Sequence, residues 1–219
     1  MDTSNDIDDA VIINVISNVY KMIDSRGFDM SNVNRYPPQE YVNNNIKLFR
    51  DGRNSLDLYL ENTDEAKDNY GAKLYVHFML HMQNIKKSAE LVKLHDMLQN
   101  AHDLNHNDHI IIVIFHELTE TIMDVEKICP NLTIFSHKKL LFNVIDHEYV
   151  PQHELVSPAD KVKLLSDLMI SAYDKLPLIN RSDVICRYYN YRIGDVIKIT
   201  RPSMAGKTHV IYRFVQDIV

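Results

Sequence analysis

Apolar residues recur four apart at Val11, Val15, Val19 and Ile23, with Ile12 and Ile16 beside them. That spacing puts them on one face of an α-helix, for which Ser4 or Asp6 offers a cap and Gly27 a C-terminal stop. A break at "NRYPPQEY" (34–41) precedes a second expected helix over 40–50. Alternation then replaces helical spacing. "SLDLYLE" (55–61) and "KLYVHFML" (73–80) read as strands around the polar turn "NTDEAKDNYG" (62–71). A helix is expected from Ile85 to Leu104, and the apolar run "HIIIVIF" (109–115) reads as a buried strand. A helix over 118–127, a strand over 132–135 and a short helix over 137–142 complete the series. Strands alternating with helices predict a layered α/β N-terminal domain.

The style changes at "NVIDHEYVPQHELVSP" (143–158), which reads as extended and as the boundary between an N-terminal domain, 1–143, and a C-terminal domain, 144–219. A helix should follow from Pro158 to Ala172, with Ser157 as its cap and proline at its first position. Residues 175–183 read as extended, and a short helix follows Asp183. Two alternating runs, Val196–Thr200 and Thr208–Val215, then form an antiparallel hairpin. The chain has only five glycines and seven prolines, yet 192–216 holds two of the glycines and one of the prolines. The expected product is a small α+β domain built on a β-hairpin.

Charge refines this picture. The 219 residues carry a formal net charge of −6. The first 143 hold fourteen Lys and Arg against twenty-one Asp and Glu, whereas 144–219 hold ten against nine. From Leu176 onward the count is seven against three. An acidic body with a basic end does not grip nucleic acid by bulk charge, although a local patch can. The first ten residues are acidic and polar, unlike a signal peptide, and the run Ile110–Phe115 is too short to span a bilayer. Cys129 and Cys186 have no metal-like spacing, so two free thiols in a reducing compartment are expected.

Candidate chemistry is sparse. His102, His106 and His109 are close in sequence, but the helix is expected to end between them. His77 and His81 lie four apart in an expected strand, about 13 Å from each other and too far to share an ion. "HELTE" (116–120) lacks the second histidine of a zinc-protease helix. Asp57 followed by Glu65-Ala-Lys67 imitates the acid and lysine pattern of metal-dependent nucleases. That chemistry needs the second acid and the lysine on a rigid strand, and here they fall in a polar turn. There is no phosphate-cradling glycine loop and no nucleophile with a base at credible spacing. The expectation is a chain with no catalytic residue, cofactor or metal.

The C-terminal segment adds a resemblance. "LPLINRSDVICRYYNYRIGDVIKITRPSMAGKTHVIYRFV" (176–215) resembles the C-terminal domain of subunit 5 of eukaryotic RNA polymerases, whose archaeal equivalent is the H-type subunit. The matching positions are Leu176-Pro177-x-Ile179, Asp183, Arg187-Tyr188, Gly194-x-Val196-Ile197-Lys198-Ile199-x-Arg201, Ser203 and Tyr212-Arg213-x-Val215. Upstream, "HEYVPQHELVS" (147–157) resembles the family's extended connector. The resemblance is weaker before residue 143, where "RGF" (26–28) and the order of elements agree. The shorter archaeal form lacks that domain. Three departures stand out. Asp183-Val184 replaces Asp-Pro. Ser203-Met204-Ala205-Gly206-Lys207 has no threonine and has its glycine one place early. The family's Thr-Pro-Ser-Ala loop near downstream DNA has only the acidic "HELTET" (116–121) as its nearest counterpart.

The resemblance implies a non-catalytic structural subunit of a multisubunit DNA-directed RNA polymerase. Its C-terminal domain would dock on the largest subunit, and its N-terminal domain would form part of the jaw around downstream duplex DNA. The interface candidates are Pro151, His153, Arg187, Lys198, Arg201, Tyr212 and Arg213. Partners would be the largest and other polymerase subunits, with DNA met only inside the complex and no membrane or small-molecule substrate. Location would be the nucleus for a cellular host, or the virion or cytoplasmic viral factory for a large DNA virus. A metal-dependent nuclease and a free transcription regulator copying the assembly domain are the alternatives.

Overall fold

The first helix, α1 (Asp9–Ser25), follows from the four-residue spacing: Ile12, Val15, Ile16, Val19, Met22 and Ile23 are buried along one side. Its cap is Asp8, whose side chain accepts the amide of Ala10 at 3.2 Å. The cap expected at Ser4 or Asp6 therefore falls later, since several cap-competent residues precede the periodic run. Gly27 ends the helix at φ 81°, a left-handed backbone that favours glycine.

The computed structural model describes residues 7–30, 39–53, 55–62, 71–79, 88–115, 124–202 and 208–217. The chain divides into two compact units, Met1–Phe142 and Asn143–Val219. The turn at 63–70, with Glu65 and Lys67, His81, the stretch 116–123 and the hairpin connection 203–207 lie outside the described residues, as does most of the break at 34–41.

The N-terminal unit is α/β. After α2 (Gln39–Arg50), β1 (Leu58–Glu61), β2 (Lys73–Met79), β3 (His109–Ile114) and β4 (Leu132–Ser136) form one sheet in the order β1-β2-β3-β4. β1 runs antiparallel to β2, and the other pairs are parallel. Every residue of β3 is buried, as a central parallel strand covered on both faces must be. Tyr75, Met79, Ile110, Ile112, Ile114 and Ile134 form one face with Leu91 and Leu98 of α3 (Ser88–Ala101) and Val125 of α4 (Val125–Ile128). Leu74, Val76, Phe78, Ile111 and Val113 alternate onto the other face and are equally buried. Each such side chain contributes about 1.5–3 kcal/mol of transfer free energy.

Two polar devices close this unit. Asn14 and Asn18 donate to the carbonyls of Leu141 and Leu140, both at 2.8 Å, tying α1 to the 3-10 turn His137–Leu140. Gly71, just before β2, has φ 85°, and a Cβ there would lie 2.2 Å from the Asn107 carbonyl oxygen, so only glycine fits.

The C-terminal unit is α+β. Its sheet has the order β5-β7-β8-β6, from β5 (Gln152–Leu155), β6 (Leu178–Asn180), β7 (Val196–Pro202) and β8 (Thr208–Gln216). α5 (Pro158–Asp167) starts as expected, with Ser157 accepting the Asp160 amide, but stops five residues before Ala172. Met169 takes φ 54°, and Ile170 donates back to Leu165, which ends the helix without a glycine to announce it. The 143–158 stretch is not extended throughout: Val144–Asp146 form a 3-10 turn, and Val144, Ile145 and Val150 join the core. Asp183 caps α6 (Val184–Tyr189) by accepting the Ile185 amide at 2.9 Å.

Candidate subunit interface

The β7–β8 hairpin is antiparallel, with Val196 opposite Phe214, Ile199 opposite Ile211 and Arg201 opposite His209. Directly opposed residues share a face, and each single step along a strand reverses it. One face therefore carries Ile197, Ile199, Arg201, His209, Ile211, Arg213 and Val215. β5 adds His153, opposite Ile199, and Leu155, opposite Ile197. Ile179, Ile185, Cys186 and Tyr191 complete the core on this side. The other face carries Val196, Lys198, Tyr212 and Phe214, packed with Val156, Leu164 and Leu176.

This parity divides the sequence candidates. His153, Arg201 and Arg213 share the first face, with Pro151 linked to them through His153, whose Nδ1 donates to the Pro151 carbonyl at 2.7 Å. Burial holds His153 below its ordinary value. The Pro151 bond and Asp183 oppose that shift, while Arg201 and Arg213 reinforce it. Both guanidinium groups thus act on one imidazole. Arg213 Nη1 also donates to the Leu178 carbonyl at 2.9 Å.

Lys198 and Tyr212 lie on the opposite face, lining a cleft with Glu154, Ser157, Asp160, Lys163 and Asp167. Lys198 Nζ donates to Glu154 Oε2 at 3.0 Å, which holds its pKa above the ordinary lysine value. Arg187 is in the last turn of α6, half-buried. Six of the seven candidates thus occupy two opposite sheet faces and a helix end, and Pro151 lies just before β5. The signal that separates Lys198 from Arg201, and Tyr212 from Arg213, is the odd spacing within each strand, which is present in the sequence itself.

The histidine-rich stretch is dispersed. His102 follows the end of α3 and stacks on Tyr75, with ring centroids 4.0 Å apart. His106 is exposed, and His109 is buried at the start of β3. Among the described residues, no group of three His, Cys, Asp or Glu side chains gathers as a metal ion would need. Asp57 serves packing: its carboxylate accepts from the Tyr75 hydroxyl at 2.7 Å, His77 Nδ1 at 2.8 Å and the Phe78 amide at 3.0 Å. Burial and this bond both push the Tyr75 phenol up. Sequence pattern gave no sign of this network. No helix among the described residues is long and apolar enough to cross a membrane.

An α/β unit followed by a hairpin-centred α+β unit agrees with the order of elements that the sequence resemblance implies. Residues 142–215 match the family model for the RNA polymerase Rpb5 C-terminal domain. The chain is 39% identical over 80 residues to the DNA-directed RNA polymerase subunit Rpo5 of Sulfurisphaera tokodaii, covering 94% of that protein and 36% of this one. It is 26% identical over 207 residues to the rpabc1 subunit of DNA-directed RNA polymerases I, II and III of Dictyostelium discoideum, covering 92% of this chain and 95% of that one. The Caenorhabditis briggsae RPABC1 subunit is 23% identical over 210 residues, covering 90% of this chain and 92% of its own length. The chain belongs to the subunit 5 family of DNA-directed RNA polymerases, which includes the archaeal H-type form.

Proposed function

We propose that this chain is a non-catalytic structural subunit of a multisubunit DNA-directed RNA polymerase, anchored on the largest subunit by residues 143–219. Residues 1–142 form part of the jaw near downstream duplex DNA. The observation that carries the reading is the distribution of similarity. The C-terminal segment alone spans 94% of two archaeal subunits at 38–39% identity, whereas full-length relatives match at 23–26%. The segment shared by long and short forms is the one that any polymerase using either form needs for attachment.

Charge supports the DNA assignment within the complex only. An excess of seven acids over bases in residues 1–143 repels phosphate, so contact depends on neighbouring basic surface. The polymerase works in the nucleus if its host is a cell, and in the virion or viral factory if a large DNA virus encodes it. The test is co-purification of residues 1–142 and of 143–219 with the largest subunit. The C-terminal part should be retained and the N-terminal part should not. The reverse pattern would reject the anchor assignment.

A further inference from the structure

On the first face of the C-terminal sheet, the side chains form cross-strand rows. Leu155, Ile197 and Arg213 make one row, His153, Ile199 and Ile211 the next, and Arg201 with His209 the outermost. Arg213 thus sits in the inner row and exposed Arg201 in the outer one, with half-buried Ile211, which packs against the core, between them. Among the described residues, neither Arg201 nor Arg213 pairs with a carboxylate. Arg213 gives one N–H to the Leu178 carbonyl, which leaves most of its planar fork available. The acid that acts on His153, Asp183, is engaged in capping α6. The opposite face is different, because Lys198 there has its own partner in Glu154.

Resting on the anchoring role above, we propose that the face carrying His153, Arg201, His209 and Arg213 docks an acidic peptide segment of a polymerase partner, seating its carboxylates on the two guanidinium groups and an apolar side chain on Ile211. Guanidinium forks match carboxylates in a bidentate geometry that a lysine cannot reproduce. A phosphodiester backbone would want a longer run of cations and has no use for an isoleucine between them. The peptide is therefore the occupant that the face fits.

The test adds the full chain, wild type or varied, to polymerase purified without this subunit, and follows incorporation as salt is raised. R201Q/R213Q should weaken incorporation at least tenfold with little change in melting, and R201K/R213K should recover only part of it. Arg192→Gln, an exposed arginine elsewhere in the unit, should behave as wild type. On an overlapping peptide array of the largest subunit, retained peptides should lose binding when Asp and Glu become Asn and Gln. Normal incorporation of R201Q/R213Q would remove this site while leaving the anchoring role intact. Failure of the wild type to incorporate would remove both. If the glutamine pair melts early, the wild-type salt response decides, and salt-insensitive incorporation overturns the proposal. Loss of duplex DNA binding in R201Q/R213Q, with peptide retention unchanged, would assign the face to nucleic acid instead.

Discussion

His77 donates its Nδ1 proton to Asp57 Oδ2 at 2.8 Å, and both side chains are more than nine-tenths buried. With the Tyr75 hydroxyl and the Phe78 amide, this carboxylate satisfies three donors from β2 and fixes the entry of β1 beside it. Asp57→Ala removes the shared acceptor and should cost about 3 kcal/mol, because buried donors lose their partner. Asp57→Asn keeps one acceptor oxygen and should cost less. Urea denaturation followed by circular dichroism measures both. Wild-type protein should cleave no plasmid with magnesium, and cleavage that disappears in Asp57→Ala would restore the nuclease reading.

The outer edge of β4 is protected from within. The outward amide of Leu132 donates to Cys129 at 3.0 Å, and that of Ile134 to Glu126 Oε1 at 2.6 Å. Glu126→Ala should lower stability by about 1 kcal/mol and should raise aggregation on mild heating, because an uncovered edge recruits strands from other chains. Glu126→Gln keeps an acceptor and should aggregate less. Light scattering during a thermal ramp distinguishes the two.

His153 gives the C-terminal unit a pH dependence of defined sign. Its folded pKa lies below the ordinary 6.5, mainly through burial, so the neutral imidazole is the favoured form in the fold. The associated stability is complete above 6.5 and is lost as pH falls from there toward the folded value. Melting of the wild type should therefore drop faster below pH 6.5 than melting of His153→Gln. Parallel curves for the two proteins would contradict the assignment.

Cys186 is 1% exposed, and its pKa is pushed up to about 12, first by burial and then by Asp183 and Asp195. Little thiolate forms at pH 8, so alkylation should be slow in the folded protein and fast in urea. Cys129 is raised in the same direction, by burial and then Asp96. Mass spectrometry after iodoacetamide treatment should find neither thiol modified in the native chain. Rapid native labelling of Cys186 would mean that the core around Ile197 and Val215 opens readily.

Periodicity made α1, β2, β3 and the β7–β8 hairpin legible, because each has an apolar face that matches its own repeat. Helix ends were less legible. α5 ends at a left-handed methionine, and α3 stops at Ala101 with Asp103 at φ 49°, so neither carries the glycine that marks Gly27. The Asp57 network and the Glu126 cap join residues distant in sequence, and local pattern does not encode such pairings. The interface candidates came from resemblance, and resemblance does not report sheet parity. Alternation within one strand parts Lys198 from Arg201 and Tyr212 from Arg213. The cross-strand register is what puts Arg201 and Arg213 on a common face.

The most direct measurement of the central claim is the stoichiometry of the native complex. The chain, tagged at its genomic locus, is purified at physiological salt, and its companions are quantified by mass spectrometry. The account predicts one copy per largest polymerase subunit, with the other polymerase subunits present in fixed ratio. A chain recovered alone, or with partners that include no polymerase subunit, would contradict it.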